Sequence, residues 1–291
     1  MKPYMTVIFD RSAFHGEYFS LFTQSRLLSL TKRGLVLVHH TPQFMEETLS
    51  MYERNKNRDE LRRQLPYLLA ICNGRLFLPQ DEVWHLELVQ NAGPTANVFV
   101  KEWRRRETEG RILRGAFTEA NWPEFQAALP HKDGERQKQH RQRMLYSEMR
   151  HEVAQKRREL RTPKAAAAPL ASEVIHTLTD NIGTDIILKN IRHQKPGRIA
   201  ANWSRNKSRS PIFTSFIEGL AYSTWYAAVQ VNKPIDKNAQ VDIQMLAYLH
   251  QADAIVTRDT KFLKDCFDEI WKRRGKRLLS PEQFLESIQS F

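Results

Sequence analysis

One run of the sequence, residues 242–263 (DIQMLAYLHQADAIVTRDTKFL), constrains the fold more than any other. Apolar residues surround its first half on most sides, which predicts a buried helix. Ala254, Ile255 and Val256 then form a short apolar run of the kind found in the middle of a parallel sheet. Asp259 follows that run, and open α/β folds place their sites at the carboxyl ends of strands. The run therefore predicts an α/β fold with an acid at the edge where such folds bind ligands.

Two further strand patterns lie near the start of the chain. Residues 6–9 and 35–38 are short apolar runs, and a helical pattern over 12–32 separates them, as in a βαβ unit. Pro42 stands where the next helix would take its first residue. At the other end, 277–279 reads as a last strand and Pro281 as the start of a terminal helix. Both ends of the chain are thus expected to contribute to one parallel sheet.

Four acids stand at strand ends or helix starts and are candidates for one site: Asp10, Glu47, Asp242 and Asp259. Clustered carboxylates repel one another unless a cation is present, and hard divalent ions such as Mg²⁺ or Mn²⁺ prefer oxygen ligands. The alternative for each acid by itself is a structural role. Asp242 alone, for example, would be read as a helix cap. The set predicts a metal site only if the fold brings its members together.

Four short motifs carry a resemblance to a known family. They are VIFDRS at 7–12, PQFMEE at 42–47, the D-x₁₆-D spacing that ends in VTRDTKFL, and RLLSPEQFL at 277–285. Together they closely resemble the PIN domain family of ribonucleases. The resemblance implies a three-layer α/β/α fold with a parallel central sheet, and hydrolysis of RNA by metal-activated water with Mg²⁺ or Mn²⁺ as cofactor. Carried across by position, the metal-binding and catalytic acids are Asp10, Glu47, Asp242 and Asp259, and Ser12 adds a hydroxyl.

The second acid has two candidates, because Glu46 and Glu47 are adjacent. Neighbouring helix positions point roughly 100° apart, so only one of them can face a cleft. The positions of Phe44 and Met45 before the acid favour Glu47.

The charge of the chain points to a polyanionic partner. Its 45 Lys and Arg against 33 Asp and Glu give a formal charge of +12. Residues 189–209 hold seven Lys or Arg and residues 271–277 hold five, with no acid in either tract. Such tracts attract phosphate backbones without reading sequence. The predicted nucleic-acid contacts are Lys195, Arg198, Arg205, Lys207, Arg209, Arg273 and Arg274; Trp203 is open to two interpretations, a base-stacking surface or a buried anchor.

The middle of the chain matches none of these patterns. Residues 101–164 hold 17 basic against 10 acidic residues, which is typical of a solvated helical arm, and the alanine-rich stretch near 163–171 resembles a linker. We therefore predict a discontinuous PIN-like nuclease domain made of 1–97 and 212–291. A basic, mostly helical insertion would occupy 98–211.

Two other functions compete with a ribonuclease. A haloacid-dehalogenase-like phosphatase also begins with an acid after a strand, but it needs a second Asp where Ser12 stands. A non-catalytic nucleic-acid-binding protein on a PIN scaffold would not need all four acids, and their presence favours catalysis.

The two cysteines are too few for a disulfide framework, and the absence of a long apolar run or signal pattern predicts a cytoplasmic protein without a membrane segment. RNA is the expected partner, DNA remains open, and a toxin-like role would add a protein inhibitor or antitoxin.

Overall fold

A four-stranded, entirely parallel sheet lies at the centre of the protein. In the computed structural model of the chain, residues 4–55, 58–107, 110, 171–229 and 239–290 are described. The strands are β1 (Met5–Phe9), β2 (Val36–His39), β3 (Ala254–Val256) and β4 (Arg277–Leu279), in the order β2-β1-β3-β4. Beyond β2, Leu76 forms a parallel bridge with His40. The N- and C-terminal parts of the chain therefore share one sheet, as the sequence predicted.

Helices connect the strands and cover the sheet. The N-terminal half contains a 3-10 turn (Arg11–Phe14), α1 (Tyr18–Gln24), α2 (Leu27–Lys32), α3 (Pro42–Asn55), α4 (Arg58–Cys72) and α5 (Gln80–Trp84), which continues into a π-helical turn (His85–Val89). The C-terminal half contains α6 (Ala171–Asn190), α7 (Pro196–Arg205), α8 (Pro211–Val229), α9 (Ala239–Ala247), α10 (Phe262–Ile270) and α11 (Pro281–Gln289). Proline at the first position opens α7 and α11, where its missing N–H costs no hydrogen bond.

Two apolar cores lie on opposite faces of the sheet. Successive strand residues point to opposite faces, so Val7 and Phe9 enter one core while Ile8 enters the other. The first core includes Leu30 of α2 and Phe284 of α11, and the second includes residues of α6 to α10. The protein is therefore an α/β fold with helices on both sides of a parallel sheet, consistent with three α/β/α layers.

The described helices of the segment predicted as an insertion belong to the second core. Ile187 of α6 and Ile199 and Trp203 of α7 are buried in the same cluster as Ile8 and Ile255 of the sheet. Helix α6 packs along α8, which belongs to the predicted nuclease domain. Residues 111–170, with most of the predicted linker, lie outside the described residues. The boundaries at 98 and 211 stay predictions, but α6 and α7 do not form a core of their own.

No helix among the described residues is both long enough and apolar enough to cross a membrane. Cys72 and Cys266 are buried free thiols.

Candidate active site at the carboxyl edge of the sheet

Asp10 and Asp259 lie at the same edge of the sheet. Strands β1 and β3 are parallel neighbours, with Phe9 in register with Val256. Asp10 follows β1 directly, and its backbone N–H donates to the carbonyl oxygen of Val256 at 2.9 Å. Asp259 comes three residues after the end of β3. The register thus places the two acids on adjacent chain segments, at the edge where parallel α/β sheets bind ligands.

Two hydroxyl groups connect these segments. The Thr257 hydroxyl donates to Oδ2 of Asp10 at 2.7 Å and accepts from the backbone N–H of Asp259 at 2.9 Å. The Ser12 hydroxyl also donates to Oδ2 of Asp10, and it accepts from the backbone N–H of Arg258 at 3.0 Å. The Asp10 carboxylate is therefore held by a threonine and a serine from the two adjacent segments.

The Asp259 carboxylate is positioned by its own loop. Its Oδ1 accepts a hydrogen bond from the backbone N–H of Lys261 at 2.7 Å, and the side chain is half-buried. An aspartate that bonds to the backbone two residues later stabilises a tight turn. This turn leads from β3 into α10, so it holds Asp259 at the sheet edge.

A buried arginine lies beneath the acids. Arg11 is 3% exposed, and its Nη2 donates to Oε1 of Gln64 on α4. Burial lowers the pKa of its guanidinium, and the carboxylates of Glu60, Glu47 and Asp10 act in the opposite direction. Charges affect one another in this way only when they are close, so Glu47 lies within electrostatic reach of Arg11.

This arrangement bears on the choice between the adjacent glutamates of α3. Glu46 and Glu47 are both half-buried, and Glu47 is the one whose charge acts on Arg11. Helix α3 also packs against the 3-10 turn that contains Arg11 and Ser12. Glu47 therefore lies towards the turn that contains Arg11, and its choice over Glu46 as the second metal acid stays a prediction.

Asp242 lies in the first turn of α9 and is largely buried. Helix α9 packs against both α3 and α10. The thiol of Cys266 on α10 has its pKa raised by burial and then by the nearby Asp242 carboxylate. Asp242 is thus close to α10, while its helix also contacts the helix that carries Glu47.

The four acids do not form a tight ligand group. Within the residues that the structure describes, no three His, Cys, Asp or Glu side chains lie close enough together to hold a metal ion. The donor set still suits Mg²⁺ or Mn²⁺ chemically, since it consists of carboxylate and hydroxyl oxygens. Mg²⁺ is commonly bound by one or two protein carboxylates together with waters and substrate phosphates. Asp10 and Asp259 offer carboxylate oxygens of this kind at one edge of the sheet, and their binding of a metal ion stays a prediction.

Sequence reasoning overlooked Thr257 and Arg11. Thr257 directly follows β3 just as Asp10 directly follows β1, and this shared position is a signal that the sequence contains. Arg11 is a charged residue between two site residues, where an exposed side chain would be the usual expectation. Its burial depends on Gln64, which is 53 positions away in the chain.

The predicted nucleic-acid contacts divide into two groups. Lys207 pairs with Asp180 at 2.8 Å, Arg273 pairs with Glu269 at 2.7 Å, and Arg274 pairs with Glu218. Lys195, Arg198 and Arg205 are exposed, and none of them forms an ion pair within the described part of the chain. Arg209 donates to the backbone oxygen of Asn91 at 3.4 Å. Among the predicted contacts, all of which lie in the described residues, the unpaired positive charge is therefore concentrated around α7.

Trp203 is a buried anchor. Its side chain is 2% exposed, and its Nε1 donates to the hydroxyl of Thr214 at 3.0 Å. It packs against Gly183 of α6, where an added Cβ would lie 2.0 Å from the Trp203 ring. A base-stacking role would need an exposed ring face, so the structure favours the structural interpretation of this residue.

His39 and His40 are also structural. Burial lowers the pKa of His39 to about 3 and that of His40 to about 4, so both rings are neutral near pH 7. The His39 ring lies against Phe77 and Phe99, and His40 stacks on Phe44. Both histidines stand at the carboxyl end of β2, beside β1, but their rings pack among aromatic side chains.

Comparison with known proteins provides no family for this chain. No protein-family model matches it, and no significant similarity is found to curated proteins or to solved structures. The PIN-like assignment therefore depends on the sequence motifs and stays a prediction.

Proposed function

We propose that this protein is a metal-dependent nuclease that hydrolyses phosphodiester bonds in RNA, with single-stranded RNA as the preferred substrate. The observation that supports this most is the junction of Asp10, Ser12, Thr257 and Asp259 at the carboxyl edge of adjacent parallel strands. Two acids and two hydroxyls are brought to one point by segments almost 250 residues apart in the chain. This placement favours a site over independent structural roles for each acid.

Asp10 and Asp259 are the residues proposed to hold Mg²⁺ or Mn²⁺, with Glu47 and Asp242 contributing from α3 and α9. A bound ion would supply an activated water and would stabilise the negative charge on the leaving oxygen. The hydroxyls of Ser12 and Thr257 fix the orientation of the Asp10 carboxylate. Arg11 offsets part of the negative charge of Glu47 and Asp10 from within the protein.

Substrate attraction is assigned to the exposed basic residues around α7. Lys195, Arg198 and Arg205 are exposed and have no acidic partner among the described residues. Cations of this kind bind phosphates by releasing counterions, so their contribution should weaken as salt increases. Lys207, Arg273 and Arg274 are proposed to contribute less, because each already pairs with an acid.

The decisive experiment compares the two acids at the carboxyl edge of the sheet with an acid at the opposite edge. The double variant Asp10→Asn, Asp259→Asn should lose at least about 100-fold in Mn²⁺-dependent cleavage of single-stranded RNA, because ligand changes should cost no less than changes in outer-shell partners. Asp253→Asn is the matched control. Asp253 lies just before β3, at the opposite edge, where its carboxylate accepts from the Thr6 N–H at 2.8 Å.

The control should cleave RNA as the unmodified protein does, since an asparagine oxygen can still accept the hydrogen bond from Thr6. Cleavage that persists in the double variant would exclude the assigned acids. Equal losses in the double variant and the control would indicate damage to the fold instead of the site.

A second function is favoured by one observation. Because no three acids converge among the described residues, the fold could serve as a nucleic-acid-binding scaffold without turnover. In that case purified protein would bind single-stranded RNA in a salt-dependent way and would leave it intact with either Mg²⁺ or Mn²⁺. Cleavage by the unmodified protein that the double variant lacks would rule this function out.

A further inference from the structure

A separate pocket of about 280 Å³ lies beside α7, between that helix and the π-helical turn His85–Val89. Basic, imidazole and amide side chains dominate its polar lining: His193, Lys195, Arg198, Asn202, Asn206 and Arg209. Such groups can all donate hydrogen bonds to an anion. The pocket contains none of the four acids assigned to the sheet edge, so it is a different site.

The cations of this pocket have no acidic partner. Lys195 and Arg198 are exposed, and in the described parts of the chain neither forms an ion pair. Their neighbours in the same basic tract differ in this respect, because Lys189 pairs with Asp185 and Lys207 pairs with Asp180, each at 2.8 Å. The lysines near the two ends of the tract are thus paired with acids, whereas Lys195 and Arg198 in the pocket are not.

Glu87 is the acid among the lining residues, and its carboxylate is already occupied. It is 2% exposed, and its two oxygens accept from the backbone N–H groups of Ile212 and Phe213 at 3.0 and 2.8 Å. These N–H groups belong to the first turn of α8, so Glu87 neutralises that helix end. Burial raises the pKa of Glu87 to about 7, which reduces its negative charge near neutral pH.

The wall formed by α7 is held rigidly. Trp203 is locked between Gly183 and Thr214, and Lys207 lies over its ring at 5.7 Å. On the opposite wall, the Arg209 guanidinium donates to the backbone oxygen of Asn91. A rigid frame lets a ligand bind without a large cost of ordering the protein.

The first turn of α7 adds a favourable dipole. Lys195 and Arg198 flank this turn and line the pocket, and the turn contains no acid. A helix N-terminus carries partial positive charge, so it favours an anion at the same place as the two cations. Arg198 can form a bidentate contact with a phosphate, whereas Lys195 acts as a point charge.

We propose that this pocket binds a phosphate monoester carried on a group of nucleotide size, either a free nucleotide or the phosphorylated end of a nucleic-acid strand. Its volume lies just below the usual range of ligand pockets, about 300–1,000 Å³, which suits a group no larger than one nucleotide. The inference goes beyond the proposed nuclease activity, since the pocket would bind this group whether or not the sheet edge is catalytic.

The test is calorimetric titration with adenosine 5′-monophosphate in the presence of EDTA, with adenosine as the ligand control. The unmodified protein should bind the nucleotide and not the nucleoside. Arg198→Gln should weaken nucleotide binding at least about tenfold, because it removes a charge-assisted bidentate contact. Arg192→Gln is the matched control. Arg192 lies in the same basic tract and is exposed, but it does not line the pocket.

The proposal is overturned if adenosine and its monophosphate bind equally, or if Arg198→Gln and Arg192→Gln weaken binding to the same extent. Equal weakening would indicate diffuse attraction to a basic tract. A second comparison uses one RNA oligonucleotide with a 5′-phosphate or a 5′-hydroxyl, again in EDTA. If the oligonucleotide with the 5′-phosphate binds more tightly than adenosine 5′-monophosphate, the natural ligand is the phosphorylated end of a strand. If adenosine 5′-monophosphate binds more tightly, the natural ligand is a free nucleotide. EDTA removes the divalent ions that cleavage would need, so binding is measured independently of nuclease activity. The binding result therefore stands even if the nuclease assay fails.

Discussion

The buried His40 makes acid sensitivity a quantitative prediction. Its side chain is fully buried, its Nε2 lies 2.8 Å from the carbonyl oxygen of Leu68, and its ring stacks on Phe44. A charged imidazolium in this position would lose its hydration, and burial accordingly lowers the pKa of His40 from 6.5 to about 4. The folded protein therefore resists protonation at this residue while the unfolded chain accepts it.

The direction in which stability changes with pH depends on which state of the protein binds the proton. Because the folded-state pKa is depressed, the stability associated with neutral His40 is present above pH 6.5 and is lost as the pH falls towards 4. At pH 5 the unfolded chain is largely protonated at this histidine and the folded protein is not. Linkage then lowers the free energy of unfolding by about 2 kcal/mol relative to pH 8. His39 acts in the same direction, since burial lowers its pKa to about 3.

The assay is urea denaturation followed by circular dichroism at pH 8 and pH 5. His40→Gln keeps a hydrogen-bond donor but removes the titrating group, so this variant should lose about 2 kcal/mol less than the unmodified protein between the two pH values. Replacing the exposed His85 by Gln serves as the control and should leave the loss unchanged. The absolute stability of His40→Gln does not enter the comparison. Equal losses in the unmodified protein and His40→Gln would refute the reasoning.

Two further predictions concern packing and helix capping. Gly183→Ala should destabilise the protein by about 1–3 kcal/mol, because its Cβ would lie 2.0 Å from the Trp203 ring. Gly197→Ala, which meets no atom within 4 Å, should change thermal stability by less than about 1 kcal/mol, and equal effects of the two would contradict this account. Ser280→Ala should cost about 1 kcal/mol, because the Ser280 hydroxyl accepts from the Gln283 N–H at 3.2 Å in a capping box; an unchanged unfolding midpoint would show that the cap contributes nothing.

The secondary structure near the C-terminus was predicted closely, whereas the first connection was not. The strand at 254–256 and the helix from Pro281 were predicted at the observed residues, since an uninterrupted apolar triplet and a Ser-Pro start are strong local signals. The single helix predicted over 12–32 is instead a 3-10 turn followed by α1 and α2. Gly16 takes a left-handed φ of 66°, which a continuous helix does not allow.

The position of α7 could not be predicted from charge alone. The tract at 189–209 contains seven basic residues, which suggested a phosphate-attracting part of the basic insertion. Its apolar members, among them Ile199 and Trp203, are buried in the core that includes Ile255 of the sheet. One helix can present charged side chains to solvent and apolar side chains to the core. The composition of the tract reveals its basic character, and only the tertiary packing reveals which face of the helix is buried.

The sequence by itself determined where acids could meet, because parallel strands bring their carboxyl ends to one edge and both Asp10 and Asp259 follow apolar strand signals. Only the tertiary structure decided which polar groups join them. The Thr257 contact with Asp10 depends on the register between β1 and β3, and the burial of Arg11 depends on Gln64. The Lys and Arg residues of the basic tracts look alike in sequence. Whether each is available to bind a phosphate depends on whether folding places an acid within ion-pair distance. Such long-range contacts are set by packing geometry, which residue type and local spacing do not encode.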